Sequence, residues 1–328
     1  MSFLWASNNL AGFDRWVGRV EAGSFHDATY VNSSIKFYVN SRIDKILDTP
    51  QTDVWFHFSF EGGTFTSLMD LALCYIGNED LNLDLFRLEG NNATFTMQYW
   101  NGSTWLNTSI SFSVGGSTLA NIDVHLVMSD ATDGGLIEVY KDDVLQGTSW
   151  EDDTVFTAAT SVDRFSLQGP VNDVNTDSNF SQFIIATSST VGCKVVAHTI
   201  DADGVTADWT GGYTDIATGA TSFPQNTAIA HSNTADQVML VEPEDVISTA
   251  LFPVGVVVNA QAKRGTTGPD AIALALRSDG VTYFSDDIVL TEGYKSVSAI
   301  WEADPAGPKN WLEATLNAME CGVKSRAS

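Results

Sequence analysis

Hydrophobic positions along this chain fall into short runs separated by polar, glycine-bearing breaks. Residues 34–39, 53–60, 94–100 and 124–128 are rich in β-branched and aromatic side chains, which pack well on a pleated surface. Gly62-Gly63, Asn91-Asn92, Asn101-Gly102, Gly115-Gly116 and Asp133-Gly134-Gly135 lie between the runs and supply the positive φ that tight turns need. Short strands punctuated in this way predict an all-β fold of sandwich or jelly-roll type.

The pattern restarts near residues 187–194. A strand-like run at 180–186 ends in Thr187-Ser188-Ser189-Thr190, a small polar linker, and a new run begins at Lys194. Further runs at 236–241, 254–262, 271–276 and 294–301 predict a second β-sandwich. The expected division is therefore 1–190 and 191–328. One helix is predicted, from Lys309 to Cys321: Leu312, Leu316 and Met319 recur at i, i+4 and i+7, Pro305 and Pro308 precede them, and Gly322 follows as a C′ residue. Trp311, Leu312, Leu316 and Met319 are thus candidates for covering a sheet or for docking against a neighbouring subunit.

Charge narrows the function. The 328 residues carry 41 acidic and 16 basic side chains, a net charge of −25. Up to residue 190 there are 8 basic and 24 acidic groups, and beyond it 8 and 17, giving −16 and −9. No basic cluster exists to replace the counterions of a nucleic acid, so nucleic-acid binding is excluded as a general role. The N-terminus shows neither the cationic nor the apolar part of a secretory signal, which gives the expectation of cytoplasmic synthesis. The weakly polar stretch at 250–262 is too short for a membrane span, which needs about 20 residues. Cys74, Cys193 and Cys321 are odd in number and far apart, and read as reduced buried thiols.

Motifs for catalysis do not emerge. His26, His57, His125, His198 and His231 stand singly, and His57 and His125 sit within apolar runs where a hydrogen-bonded structural histidine is expected. No GxSxG, Walker or GxGxxG motif joins a strand to a helix. Acidic segments at 138–143 and 151–153 lack the same-face spacing of a glycosidase pair and read as solvated acids at strand ends. The expectation is a non-enzyme without a cofactor. Calcium has a local basis: Asp201-Ala202-Asp203-Gly204 followed by Asp208 offers three oxygen donors in a short turn. Asp130, Asp133, Asp142 and Asp143 form a second acidic group. Trp100 and Trp105 flank a turn that includes Asn101, so two indoles project from one hairpin, as a sugar-stacking site requires, and all three residues are glycan-binding candidates. The alternative for them is aromatic packing at a hairpin end.

Two segments go further. Residues 135–145, with Tyr140-Lys141-Asp142-Asp143-Val144-Leu145, then 163–169 and 181–186, resemble the late strands of concanavalin A-like jelly rolls of the laminin G type, with Asp143 where that hairpin usually has glycine. Residues 204–211, 231–237 and 256–264, with Trp301-Glu302-Ala303-Asp304-Pro305 leading into 311–323, resemble a C-terminal module of tailed-phage virion proteins. The resemblance implies a bacteriophage virion structural protein, a tail, tail-tip, fibre or head-decoration component. It would be a homo-oligomer that contacts other virion proteins, docks through one domain and presents the other. Glycan binding by the jelly roll is the companion reading, and a depolymerase the least favoured.

Overall fold

The computed structural model describes residues 2–8, 10–23, 26–31, 33–62, 71–91, 94–115, 118–131, 134–148, 150–170, 178–219, 229–245, 252–307 and 310–327. Gly63, Asn92, Gly116, Asp133, Pro308 and Lys309, all named above, lie outside them. The chain is all-β with two short helices, Tyr213–Gly219 and Glu313–Leu316, among the described residues. No helix there is long and apolar enough to cross a membrane. Two compact units are present, one of residues 1–9 and 13–195, the other of residues 10–12 and 196–328.

The first unit is a sandwich of two antiparallel sheets. One runs Val144–Leu145, Gly135–Lys141, Leu119–Val127, Asp53–Gly62, Ser178–Ala186, Ser34–Phe37, Val20–Gly23, with Phe3–Ser7 and Trp150–Asp152 attached alongside. The other runs Trp105–Ser113, Thr94–Trp100, Leu83–Asn91, Leu71–Asn78, Val162–Gln168, Arg42–Gln51, Arg15–Val17. Ser34–Phe37, Arg42–Gln51 and Asp53–Gly62 change sheet at each step, so the pairing is largely non-local. Between the sheets lies an aromatic core. Phe60 contacts Phe95 and Phe180 at centroid distances of 5.8 and 5.1 Å, and Phe56 contacts Phe165 at 5.2 Å. Such pairs contribute about 0.5–1.5 kcal/mol beyond area burial.

The 53–60 run shows how alternation sets this core. Val54, Phe56, Phe58 and Phe60 face inward, while His57, Ser59 and Glu61 point to the other side and are also buried. Burying those polar groups is tolerable because they are paired: His57 with Asp123, Ser59 with Asn121, and Glu61 with Asn179. The 135–145 hairpin turns on Asp142 and Asp143, whose φ values are 50° and 67°. Asp143 thus adopts the left-handed backbone that glycine usually supplies, a conformation Asp tolerates better than most residues.

The second unit has a six-stranded sheet, Ile200–Ala207, Val238–Pro243, Glu320–Arg326, Ala271–Ser278, Val281–Phe284, with Ile288–Val289 also on Ala271–Ser278, and a two-stranded sheet of Val256–Ala262 and Lys295–Trp301. Two sequence expectations are corrected here. The helix expected over 309–321 is one turn, Glu313–Leu316, and Glu320–Arg326 is a central strand. Residues 271–277 pair along its whole length on one side, and 238–241 pair on the other. A helix would leave the facing N–H and C=O groups of both neighbours unpaired, a cost that local apolar spacing cannot offset. Gly322 is therefore a mid-strand residue and not a helix cap; a Cβ there would run into the Met239 carbonyl oxygen. The second correction is that Asp201 to Gly204 lies within the Ile200–Ala207 strand and is not a turn.

Candidate functional site

The outward face of the seven-stranded sheet carries a polar row that crosses every strand. Directly opposed residues run Arg15, Asp44, Ser166, Tyr75, Arg87, Gln98, Asn107. Because opposed residues share a face, these seven side chains form one band. Residues two positions along the same strands join it: Arg42, Arg164, Glu89, Trp100 and Trp105.

Ion pairs knit the band. Arg42 places both terminal nitrogens on Asp84, at 3.1 and 3.0 Å, and its Nε on Asp44 at 2.8 Å. Arg164 reaches the same Asp84 at 2.9 Å and Glu79 at 3.0 Å. Arg15 forms a fork on Glu79, at 2.8 and 3.0 Å, and meets Asp44 at 3.1 Å. Burial by itself would raise the Asp84 carboxyl, but the Arg42 and Arg164 guanidiniums outweigh it and hold that carboxyl below the ordinary range. Burial would likewise lower Arg42, and its pairing with Asp84 and then Asp44 turns the net shift upward.

The aromatic end adjoins this network. Trp100 and Trp105 oppose each other across the hairpin with ring centroids 5.5 Å apart, and both are half-buried. Arg87 stands over the Trp105 ring at 4.5 Å and Tyr75 meets it edge-on at 6.2 Å. Arg87 also donates to Gln98 at 2.6 Å and Glu89 at 2.8 Å, and Gln98 donates to Asn107 at 2.7 Å. The hairpin expectation thus finds the two indoles together on one polar face. Asn101 plays another part: its side-chain oxygen accepts from the Ser103 and Thr104 amides at 3.0 and 2.9 Å and from the Ser103 hydroxyl at 3.0 Å. It holds the turn, with Gly102 at φ 92°, and so positions the tryptophans.

Other sequence candidates are dispersed. Asp203 accepts the Tyr213 amide at 2.7 Å at the start of the Tyr213–Gly219 helix, and Asp208 accepts the Val238 amide at 3.0 Å. Asp201 lines a separate open depression with Glu242, Glu244, Asp245 and Glu320. These aspartates do not converge as the calcium reading required, and no set of three metal-ligating side chains suited to an ion occurs among the described residues. Asp142 and Asp143 likewise accept the Asn121 and Gly192 amides. The four docking candidates also separate. Trp311 is 2% exposed and Met319 9%, in a cluster with Leu276 against which Leu316 packs; Leu312, 56% exposed, is the accessible one. The expectation of a docking role for Trp311 and Met319 is corrected by this burial, because the sandwich interior needs them.

His57 and His125 are structural. His57, 1% exposed, holds Asp123 at 2.8 Å, and Thr190 donates to the same carboxylate oxygen at 2.6 Å. His125 stacks on Trp55 at 4.1 Å between Glu138 and Asp53, at 3.1 and 3.0 Å. Glu138 is therefore a mid-strand partner and not the solvated strand-end acid expected. The polar row itself escaped sequence reasoning, since its members come from positions 15 to 166; the strand-face parity of Arg87 with Glu89 and of Gln98 with Trp100 was the available signal.

No family model matches the chain, and no curated protein matches it. Among solved structures, it is similar to a cellulose induced protein, with a TM-score of 0.41, 11% identity, and coverage of 52% of this chain and 86% of that one. It is similar to the receptor binding domain of a botulinum neurotoxin mosaic serotype C/D, with a TM-score of 0.43, 10% identity, and coverage of 86% and 72%. It is also similar to an alginate lyase in complex with alginate trisaccharide, with a TM-score of 0.41, 8% identity, and coverage of 57% and 99%.

Proposed function

We propose that this protein is a non-catalytic saccharide-binding subunit of a tailed-phage particle, with the seven-stranded sheet of the first unit as the binding face. The observation that carries the binding half is the half-buried Trp100–Trp105 pair opening onto the polar band of Arg87, Gln98 and Asn107. Pyranose rings present C–H faces that stack on indoles and rim hydroxyls that need planar donors and acceptors. Both kinds of group stand side by side here.

The virion half rests on the sequence resemblance of residues 204–323 to a phage module. On this reading the protein acts at the virion surface as a homo-oligomer among other virion proteins, the second unit attaching and the first contacting a host glycan. Adsorption of the purified full chain to host cells tests the binding half: Trp100→Ala and Trp105→Ala should each reduce it by about tenfold, the loss of one stacking contact of about 1–1.5 kcal/mol. Undiminished adsorption would refute the face. Mass spectrometry of purified particles tests the virion half, and absence of peptides from this chain would refute it.

A further inference from the structure

We propose that the saccharide recognised by this face is neutral, a polymer of uncharged sugars, and not a uronate, sialate or sulfated glycan. The inference rests on the reading of the sheet face as a saccharide site and adds its substrate class.

Charge distribution is the first support. Residues 1–190 carry a balance of −16, from 8 basic and 24 acidic groups. Half of those basic groups, Arg15, Arg42, Arg87 and Arg164, sit on this one face. They meet the carboxylates of Asp44, Glu79, Asp84 and Glu89 there, with Asp163 accepting the Glu79 amide beside them, so the face carries no net positive charge within an acidic domain. An anionic polymer would meet a repulsive field over the domain without a positive patch to offset it.

Occupied guanidinium forks are the second, independent support. Recognition of a ligand carboxylate or sulfate by arginine uses the paired terminal nitrogens. Arg42 spends that fork on Asp84, and Arg15 spends its own on Glu79. Arg164, with a side chain 4% exposed, is divided between Glu79 and Asp84. At Arg15, Arg42 and Arg164 an acidic sugar would have to displace a protein carboxylate already in place, and at Arg87, beside the indoles, Nε is held by Gln98 and one terminal nitrogen by Glu89, so no whole fork is presented. A neutral sugar asks for none of this: its hydroxyls both donate and accept, and the Gln98–Asn107 amide pair beside the two indoles offers both.

Affinity electrophoresis of the full chain through gels containing neutral polymers (dextran, mannan, β-glucan) or acidic ones (alginate, hyaluronan, heparin) tests this. Runs at about 0.01 M and about 1 M salt, with screening lengths of about 30 and about 3 Å, separate charge from contact. The expected result is retardation by at least one neutral polymer, unchanged within about twofold by salt and lost in Trp105→Ala with its circular dichroism intact. Retardation only by acidic polymers, disappearing at high salt, would overturn neutrality and leave the saccharide reading standing. Retardation by neither class would overturn that reading and this inference together. Neutral retardation that survives Trp105→Ala would overturn the assignment to this face.

Discussion

The Arg87 guanidinium lies 4.5 Å from the centre of the Trp105 ring, on the face away from the aromatic core. Arg87 is itself held by Glu89 and Gln98, and the network anchored on Asp84 reaches the same indole through Tyr75, over whose ring Arg42 stands at 5.0 Å. The Arg87 contact fixes the Trp105 ring before any ligand arrives, which lowers the ordering cost of binding.

Replacing Arg87 with methionine should therefore free the Trp105 ring with little effect on the fold. We expect a stability loss of about 1–2 kcal/mol, because a partly buried cation–π pair is lost together with the bonds to Gln98 and Glu89, and a several-fold weaker saccharide affinity. Urea denaturation and titration calorimetry measure the two; unchanged affinity would separate Arg87 from the site.

Asp84 bridges Arg42 and Arg164, so Asp84→Asn leaves the Arg164 charge, with a side chain 4% exposed, short of its partner. The expected cost at neutral pH is about 1–3 kcal/mol, reduced from a fully buried pair because Asp84 keeps some solvent contact. The carboxyl titrates lower in the folded state than in the unfolded one, so its contribution is present above about pH 4 and is lost as pH falls through the lowered folded value. Denaturation across pH should show the wild-type advantage over Asp84→Asn shrinking on acidification. A gap that widened would contradict the ion-pair account.

Gly322→Ala discriminates the central strand from the helix that local spacing predicts. In the strand a Cβ meets the Met239 backbone, which cannot rotate away, and the expected loss is about 2–4 kcal/mol. Just past a helix end the same change would cost about 1 kcal/mol. Trp311→Ala and Leu312→Asp give the companion contrast. The first should cost about 3–5 kcal/mol as a core truncation and the second within about 0.5 kcal/mol as an exposed change.

Burial pushes the Cys74 thiol up to about 12, against a weaker opposing hydrogen bond to the Leu88 backbone. A thiolate is the reactive form, so Cys74 should resist thiol reagents in mildly alkaline buffer and react only after denaturation. Mass spectrometry of labelled peptides checks it; labelling of Cys74 in the native protein would contradict the packing of the Leu71–Asn78 strand.

Strands that bury one face in unbroken alternation were legible: Val54, Phe56, Phe58 and Phe60 announce the Asp53–Gly62 strand. The Trp100–Trp105 hairpin was legible because Asn101 and Gly102 mark its turn. Residues 309–321 misled, since Leu312, Leu316 and Met319 fit a helical period over too few turns to outweigh the pairing demand of two neighbouring strands. The Asp201–Gly204 stretch misled similarly, as Asp-x-Asp-Gly composition suits a turn while Glu320 and the Val238–Pro243 strand hold it extended. The polar band was not legible, because strand order, and not sequence neighbourhood, brings Arg15, Arg164 and Asn107 to one face.

A glycan array spanning neutral and acidic saccharides, probed in parallel with the full chain, Trp105→Ala and Leu312→Asp, tests the central claim most directly. The account predicts a signal on neutral glycans that Trp105→Ala loses and Leu312→Asp keeps. No signal from the folded full chain, or one that persists in Trp105→Ala, would contradict it.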